Sequence, residues 1–272
     1  MRRTIPLALL PGVMIALALT LASTSTPNRA YAHEGCSNHS LRGAYGFATD
    51  GQAFGPTGAE FAEFASAGRI VFDGQGHLTG RETESLNGAI SEPTFSGTYS
   101  VLPDCTGTAH VHNGQPATLR FMLVEGGQEV NIIDTDSGVV AAGQITRQQM
   151  TGCTLASFKG VYSFAGSGSA YGPNGELGDV AVFGRIVADG HGHTTQSSYA
   201  SFNGFPDTDT EVGTYTVNAD CTGTATDVHQ RTGQVEHVWF VLVEGGAEAK
   251  FVVTDRGVVF AGTVDRQGSM DD

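Results

Sequence analysis

Short stretches in which apolar and polar residues alternate recur along this chain every 10 to 15 residues, separated by Asp-Gly, Gly-Gly and Asn-Gly pairs. Alternation at period two marks a strand with one face turned to a core, and those dipeptides supply the positive-φ positions of hairpin turns. In the first half the pattern predicts eight strands, at about 41–49, 60–72, 78–87, 95–103, 106–113, 117–125, 128–135 and 138–147. No segment shows a sustained helical period. In the last of these strands Val139, Ala141, Gly143 and Ile145 share a face that reads as interior, whereas Gln144 and Thr146 lie on the opposite face.

The whole pattern then repeats. GTYSVLPDCTGT from Gly97 returns as GTYTVNADCTGT from Gly213, GRIVFDGQGH from Gly68 as GRIVADGHGH from Gly184, and FMLVEGGQE from Phe121 as FVLVEGGAE from Phe240. The offset drifts only between 116 and 119 residues, so the chain divides into two homologous units, 33–150 and 151–272. Eight short antiparallel strands per unit imply closure into a barrel, because closure removes the edges an open meander would expose; a two-sheet sandwich is the alternative. The expected fold is therefore all-β, with two tandem antiparallel eight-stranded β-barrels.

Composition adds compartment and partners. Residues 1–32 combine Arg2 and Arg3, an apolar run and the small-x-small end Ala30-Tyr31-Ala32, which reads as a secretory signal peptide. No later run is long enough for a membrane span. The formal charge of -14 becomes -17 without the three arginines of that segment, a surface that repels nucleic acid and anionic lipid. Four cysteines in an exported chain imply disulfides, and the repeat selects the pairs Cys36 with Cys105 and Cys153 with Cys221.

Candidate chemistry is sparse. Tyr45, Phe47, Tyr99 and Phe121 in the first unit, and Tyr162, Phe164, Tyr215 and Phe240 in the second, form aromatic faces that would line a barrel or wall a ligand. Glu125 and Glu244 close the same strand in each copy before Gly-Gly, and Asp134 continues an inward face where the second copy has Val253; a carboxylate at a barrel mouth can work as an acid or base. His110 with His112 and Glu82 with Glu84 each share a strand face and have metal-ligand chemistry, yet no ligand-spacing signature accompanies them, so neither a metal nor another cofactor is expected. Asp73-Gly74 and Asp189-Gly190 read as hairpin turns, with His77 and His193 exposed beside them.

The units carry GxYxF, DGxGH, GTYxV, DCTGT and LVEGGxE, and in these motifs the chain resembles a group of secreted bacterial tandem-repeat proteins of uncharacterised function. In topology each unit is similar to the small barrels of the allene oxide cyclase and calycin type, a resemblance that carries over no catalytic residue. Three functional expectations follow: an exported or periplasmic protein binding a small, largely apolar molecule; a cyclase or isomerase assisted by Glu125, Asp134 or Glu244; or a structural protein of the cell envelope.

Overall fold

The structure is a computed structural model that describes residues 35–112, 114 and 116–268. The signal-peptide expectation for residues 1–32 falls outside that range. The first half contains β1 (Arg42–Phe54), β2 (Glu60–Asp73), β3 (His77–Leu86), β4 (Ala89–Ser91), β5 (Thr94–Val101), β6 (Thr106–His112), β7 (Pro116–Val124), β8 (Glu129–Asp134) and β9 (Val139–Arg147). The second contains β10 (Lys159–Gly172), β11 (Gly175–Asp189), β12 (His193–Phe202), β13 (Phe205–Val217), β14 (Thr222–His229), β15 (Val235–Val243), β16 (Glu248–Val253) and β17 (Val258–Gly268).

Sequence neighbours pair antiparallel, and the last strand of each half returns to the first: Phe47 faces Ile145 across β1 and β9, and Phe164 faces Val264 across β10 and β17. Both halves are closed eight-stranded barrels, with β4 a short addition to the rim of the first. Pro93, which has no N–H to give a ladder, follows β4 and separates it from β5. The second copy runs unbroken through the corresponding stretch as β13.

One end of each barrel is sealed by the conserved motifs of the repeat. Tyr45 donates its hydroxyl proton to the Gly127 carbonyl at 2.9 Å and Tyr162 to that of Gly246 at 3.1 Å. Tyr99 donates to the carbonyl of Leu41 at 2.8 Å and Tyr215 to that of Phe158 at 2.7 Å. The disulfides Cys36–Cys105 and Cys153–Cys221 tie the same ends. A pair of disulfides of this kind points to an oxidising, extracytoplasmic environment. Among the described residues no helix is long and apolar enough to cross a membrane.

The barrels pack side by side, β1 and β2 against β15, β16 and β17. Ala65, Ala67, Val252, Val259 and Ala261 form a small-residue seam, and Gly46 lets the walls approach: a Cβ there would lie 2.6 Å from Val243 Cγ1. The polar face of β9 is not solvated as its alternation suggests, because the second barrel covers it. Lys250, 1% exposed, forms an ion pair with Glu248 and donates from Nζ to Gln144 Oε1 at 2.8 Å. Nearby, Gln148 donates to the carbonyls of Asp220 and Leu242 and accepts from Arg69 Nε.

Candidate functional site

The interiors of the two barrels differ. In the first, Leu41, Phe47, Ile70, Phe95, Phe121 and Val130 pack with their neighbours into one apolar cluster. Phe95 is central to this filling. Its ring meets Phe47 edge-on at 6.0 Å and lies against Gly80, where a Cβ would come within 2.2 Å of its Cζ.

The second barrel encloses a cavity of about 380 Å³. Alignment on the GTY motif places Glu211 at the position of Phe95 and Gln196 at that of Gly80, so the filling ring and the glycine that receives it are both replaced. The floor and lower wall remain apolar, built from Phe158, Phe164, Phe240, Phe251 and Phe260. The opposite end is lined by Asp207, Asp209, Glu211, Asp227, His229, Arg231 and Glu236, contributed by β13, β14, β15 and the β14 to β15 turn. Period-two alternation places these side chains inward: Glu211 pairs with Gln196 of the cavity wall, and Asp227 and Glu236 are two residues from the wall residues Ala225 and Val238 on their own strands.

These carboxylates fall into two groups. On the rim, Asp207 pairs with Arg231, which holds its carboxyl below the ordinary range, and Asp209 accepts from His229 Nδ1 at 2.8 Å. Burial opposes charge on His229, but the hydrogen bond to Asp209 and the charges of Glu211 and Glu236 outweigh it and raise the imidazole pKa. Deeper in, Asp227 is 3% exposed and accepts from Thr194 Oγ1 at 3.3 Å; Gly213 leaves room for it, since a Cβ there would lie 1.9 Å from Asp227 Oδ1. Burial pushes the pKa of Asp227 and of Glu211 upward. Burial, with the charges of Glu211 and Asp227 beside it, pushes Glu236 up to about 7. Glu236 makes no hydrogen bond or ion pair among the described residues. It is half-buried and lines the cavity.

The residues singled out in the sequence are dispersed. Phe164 and Phe240 line the cavity floor; Tyr162 and Tyr215 seal the end beneath it. Tyr45, Phe47, Tyr99 and Phe121 are core of the filled barrel. Glu125 is exposed in a turn with φ 50°, and Glu244 occupies the matching turn with φ 48°, at the end of its barrel opposite the acidic mouth. Asp134 sits at the far end of β8, accepting from the Asp136 N–H at 2.7 Å, with its pKa raised by burial. His110 and His112 are exposed on the outside of β6, whereas Glu82 and Glu84 share the inward face of β3 with Leu78 and Gly80, so the barrel wall separates the two pairs. Among the described residues no group of three or more His, Cys, Asp or Glu side chains is arranged to hold a metal ion. His77 and His193 are exposed as expected, their Nδ1 atoms 3.1 and 3.2 Å from the turn carboxylates Asp73 and Asp189.

The acidic mouth was missed because the differences between copies that drew notice, such as Asp134 against Val253, were acids of the first unit. The informative signal lay in acids of the second unit: Glu211, Asp227 and Glu236 stand where the first copy has Phe95, Val111 and Ala117. The offset also grows from 116 to 119 residues in the hairpin that carries His229 and Arg231.

No protein-family model matches the chain, and no curated protein matches it. Among solved structures, it is similar to a Nitrosomonas europaea protein provisionally named AttH, at 9% identity and a TM-score of 0.28, over 88% of this chain and 97% of that one. A protein of unknown function from the DUF3598 family of Nostoc punctiforme PCC 73102 matches at 12% identity and a TM-score of 0.27, over 85% of this chain and 99% of that one.

Proposed function

We propose that this protein binds a small, largely apolar molecule inside its second barrel, with the first barrel serving as a filled scaffold. The observation that carries this reading is the exchange of Phe95 and Gly80 for Glu211 and Gln196, which accompanies a cavity of about 380 Å³ with an aromatic floor and a polar mouth. Cavities of this size and lining are where small ligands bind. Closing so much apolar surface on water is unfavourable unless something occupies it. The apolar run near the start of the sequence, the pattern of residues 30–32 and the two disulfides together support export with loss of residues 1–32, to a periplasmic or extracellular place of action.

The test pairs native mass spectrometry of the protein purified from its own host with calorimetry using 1-octanol as an apolar probe. Wild type is expected to bind. The double variant Gln196→Gly with Glu211→Phe, which rebuilds the packing of the first barrel in the second, is expected to fold and not to bind. Failure of wild type to take up any apolar probe, or equal uptake by the filled variant, would overturn the reading.

A further inference from the structure

The mouth of the second barrel carries more negative charge than its own residues balance. Five carboxylates line it, against one guanidinium and one imidazole. Both basic groups are committed to the rim, Arg231 to Asp207 and His229 to Asp209, with Glu211 Oε1 only 3.6 Å from the same imidazole nitrogen. That leaves Asp227 with neutral hydrogen-bond donors and Glu236 with none, although the two are directly paired across β14 and β15. Like charges placed opposite each other in a sheet repel, and repulsion inside an enclosed site is screened less than at a surface. Nothing in the first barrel requires such an arrangement, because the equivalent positions there are Phe95, Val111 and Ala117.

Resting on the reading that this cavity binds a small molecule, we infer that its ligand is an amphiphilic amine: an apolar body on the aromatic floor, and a protonated nitrogen held by Glu211, Asp227 and Glu236. Each half of the cavity asks for one half of that molecule. The floor of Phe164, Phe240, Phe251 and Phe260 offers only apolar contact. The unpartnered Glu236 offers an acceptor that a positively charged N–H donor satisfies, and a cation there relieves the repulsion with Asp227. A bare metal ion would leave the floor empty, and the side chains are not arranged as a metal-ligand set. An anionic head group would add a sixth negative charge to the five.

Three probes with one body and different heads separate the possibilities: octylammonium, 1-octanol and octanoate, titrated calorimetrically at pH 7.5 into the full-length folded protein. Octylammonium is expected to bind about tenfold or more tightly than octanol, the worth of one charged hydrogen bond, with octanoate weakest. Asp227→Asn with Glu236→Gln is expected to bring octylammonium to within about threefold of octanol, the ratio of the two affinities being the readout. The filled variant Gln196→Gly with Glu211→Phe is expected to bind none of them, which distinguishes the cavity from the acidic outer surface. Octanol or octanoate binding as tightly as octylammonium would overturn the amine assignment and leave the binding reading intact. Binding of none of the three to wild type would overturn both. If the Asp227→Asn, Glu236→Gln variant does not fold, the order of the three probes on wild type still decides.

Discussion

Asp227 on β14 and Glu236 on β15 are opposite one another in register, two carboxylates side by side on the cavity wall. Burial, with the charges of Glu211 and Asp227 added to it, holds the proton on Glu236 in the folded protein to about pH 7, whereas the unfolded chain releases it near the ordinary value of 4.5. As pH rises from 4.5 to 7 the unfolded state ionises first and stability falls; above 7 both states are ionised and the loss is complete. Glu236→Gln removes this loss. Its gain over wild type is expected to be absent below pH 4.5 and to reach at most about 3 kcal/mol above pH 7, by urea unfolding across that range.

Phe95 is what keeps the first barrel full. Truncation to Ala is expected to cost about 3–5 kcal/mol by chemical denaturation. It is also expected to open a space beside Gly80 that takes up octanol, which calorimetry with that probe would show.

Lys250 is buried between the barrels, and the charge of Glu248 is tolerable there only because the ammonium is present. Lys250→Met leaves that carboxylate, whose pKa burial already raises, without its partner. The expected cost is about 3–5 kcal/mol, most of it recovered when Glu248→Met is added, as double-mutant unfolding would show.

Gly46 sets how near the two walls come. A valine there collides with Val241 and Val243, at 2.7 and 2.6 Å from its Cβ. The expected outcome is a larger radius of gyration by small-angle scattering, with both disulfides and strand content preserved.

Cys153 and Cys221 close a loop with a sequence separation of 68. Replacing both with serine is expected to lower stability by about 4 kcal/mol in the chain-entropy account, and to loosen the sealed end around Tyr162 and Tyr215 before the acidic mouth. Hydrogen exchange at those strands would show the order.

The barrels, the disulfide pairs and the inward faces were legible because each depends on local period and on the repeat. Val130 and Ile145 are in the core where alternation put them. Gln144 and Thr146 were read as an outward face correctly, but period two says nothing about what covers that face, and here it is another barrel. The site was harder to read for a related reason. Glu236 and Asp227 alternate with apolar neighbours as solvated rim residues do, and it is the exchange of a Phe95-type ring for Glu211 on the neighbouring strand that leaves them lining a cavity. Glu125 and Glu244 attracted notice because each closes a strand before Gly-Gly; each instead occupies a left-handed turn position, with φ 50° and 48°.

In each barrel the strand that begins the unit runs alongside the strand that ends it. A gene segment encoding such a unit can be duplicated head to tail without severing any ladder, because its two ends already meet at one seam. For the same reason the starting point is arbitrary. Opening the second barrel at the exposed Asn203-Gly204 turn and bridging β17 to β10 with a short linker would give a circular permutant in which every strand keeps both of its neighbours.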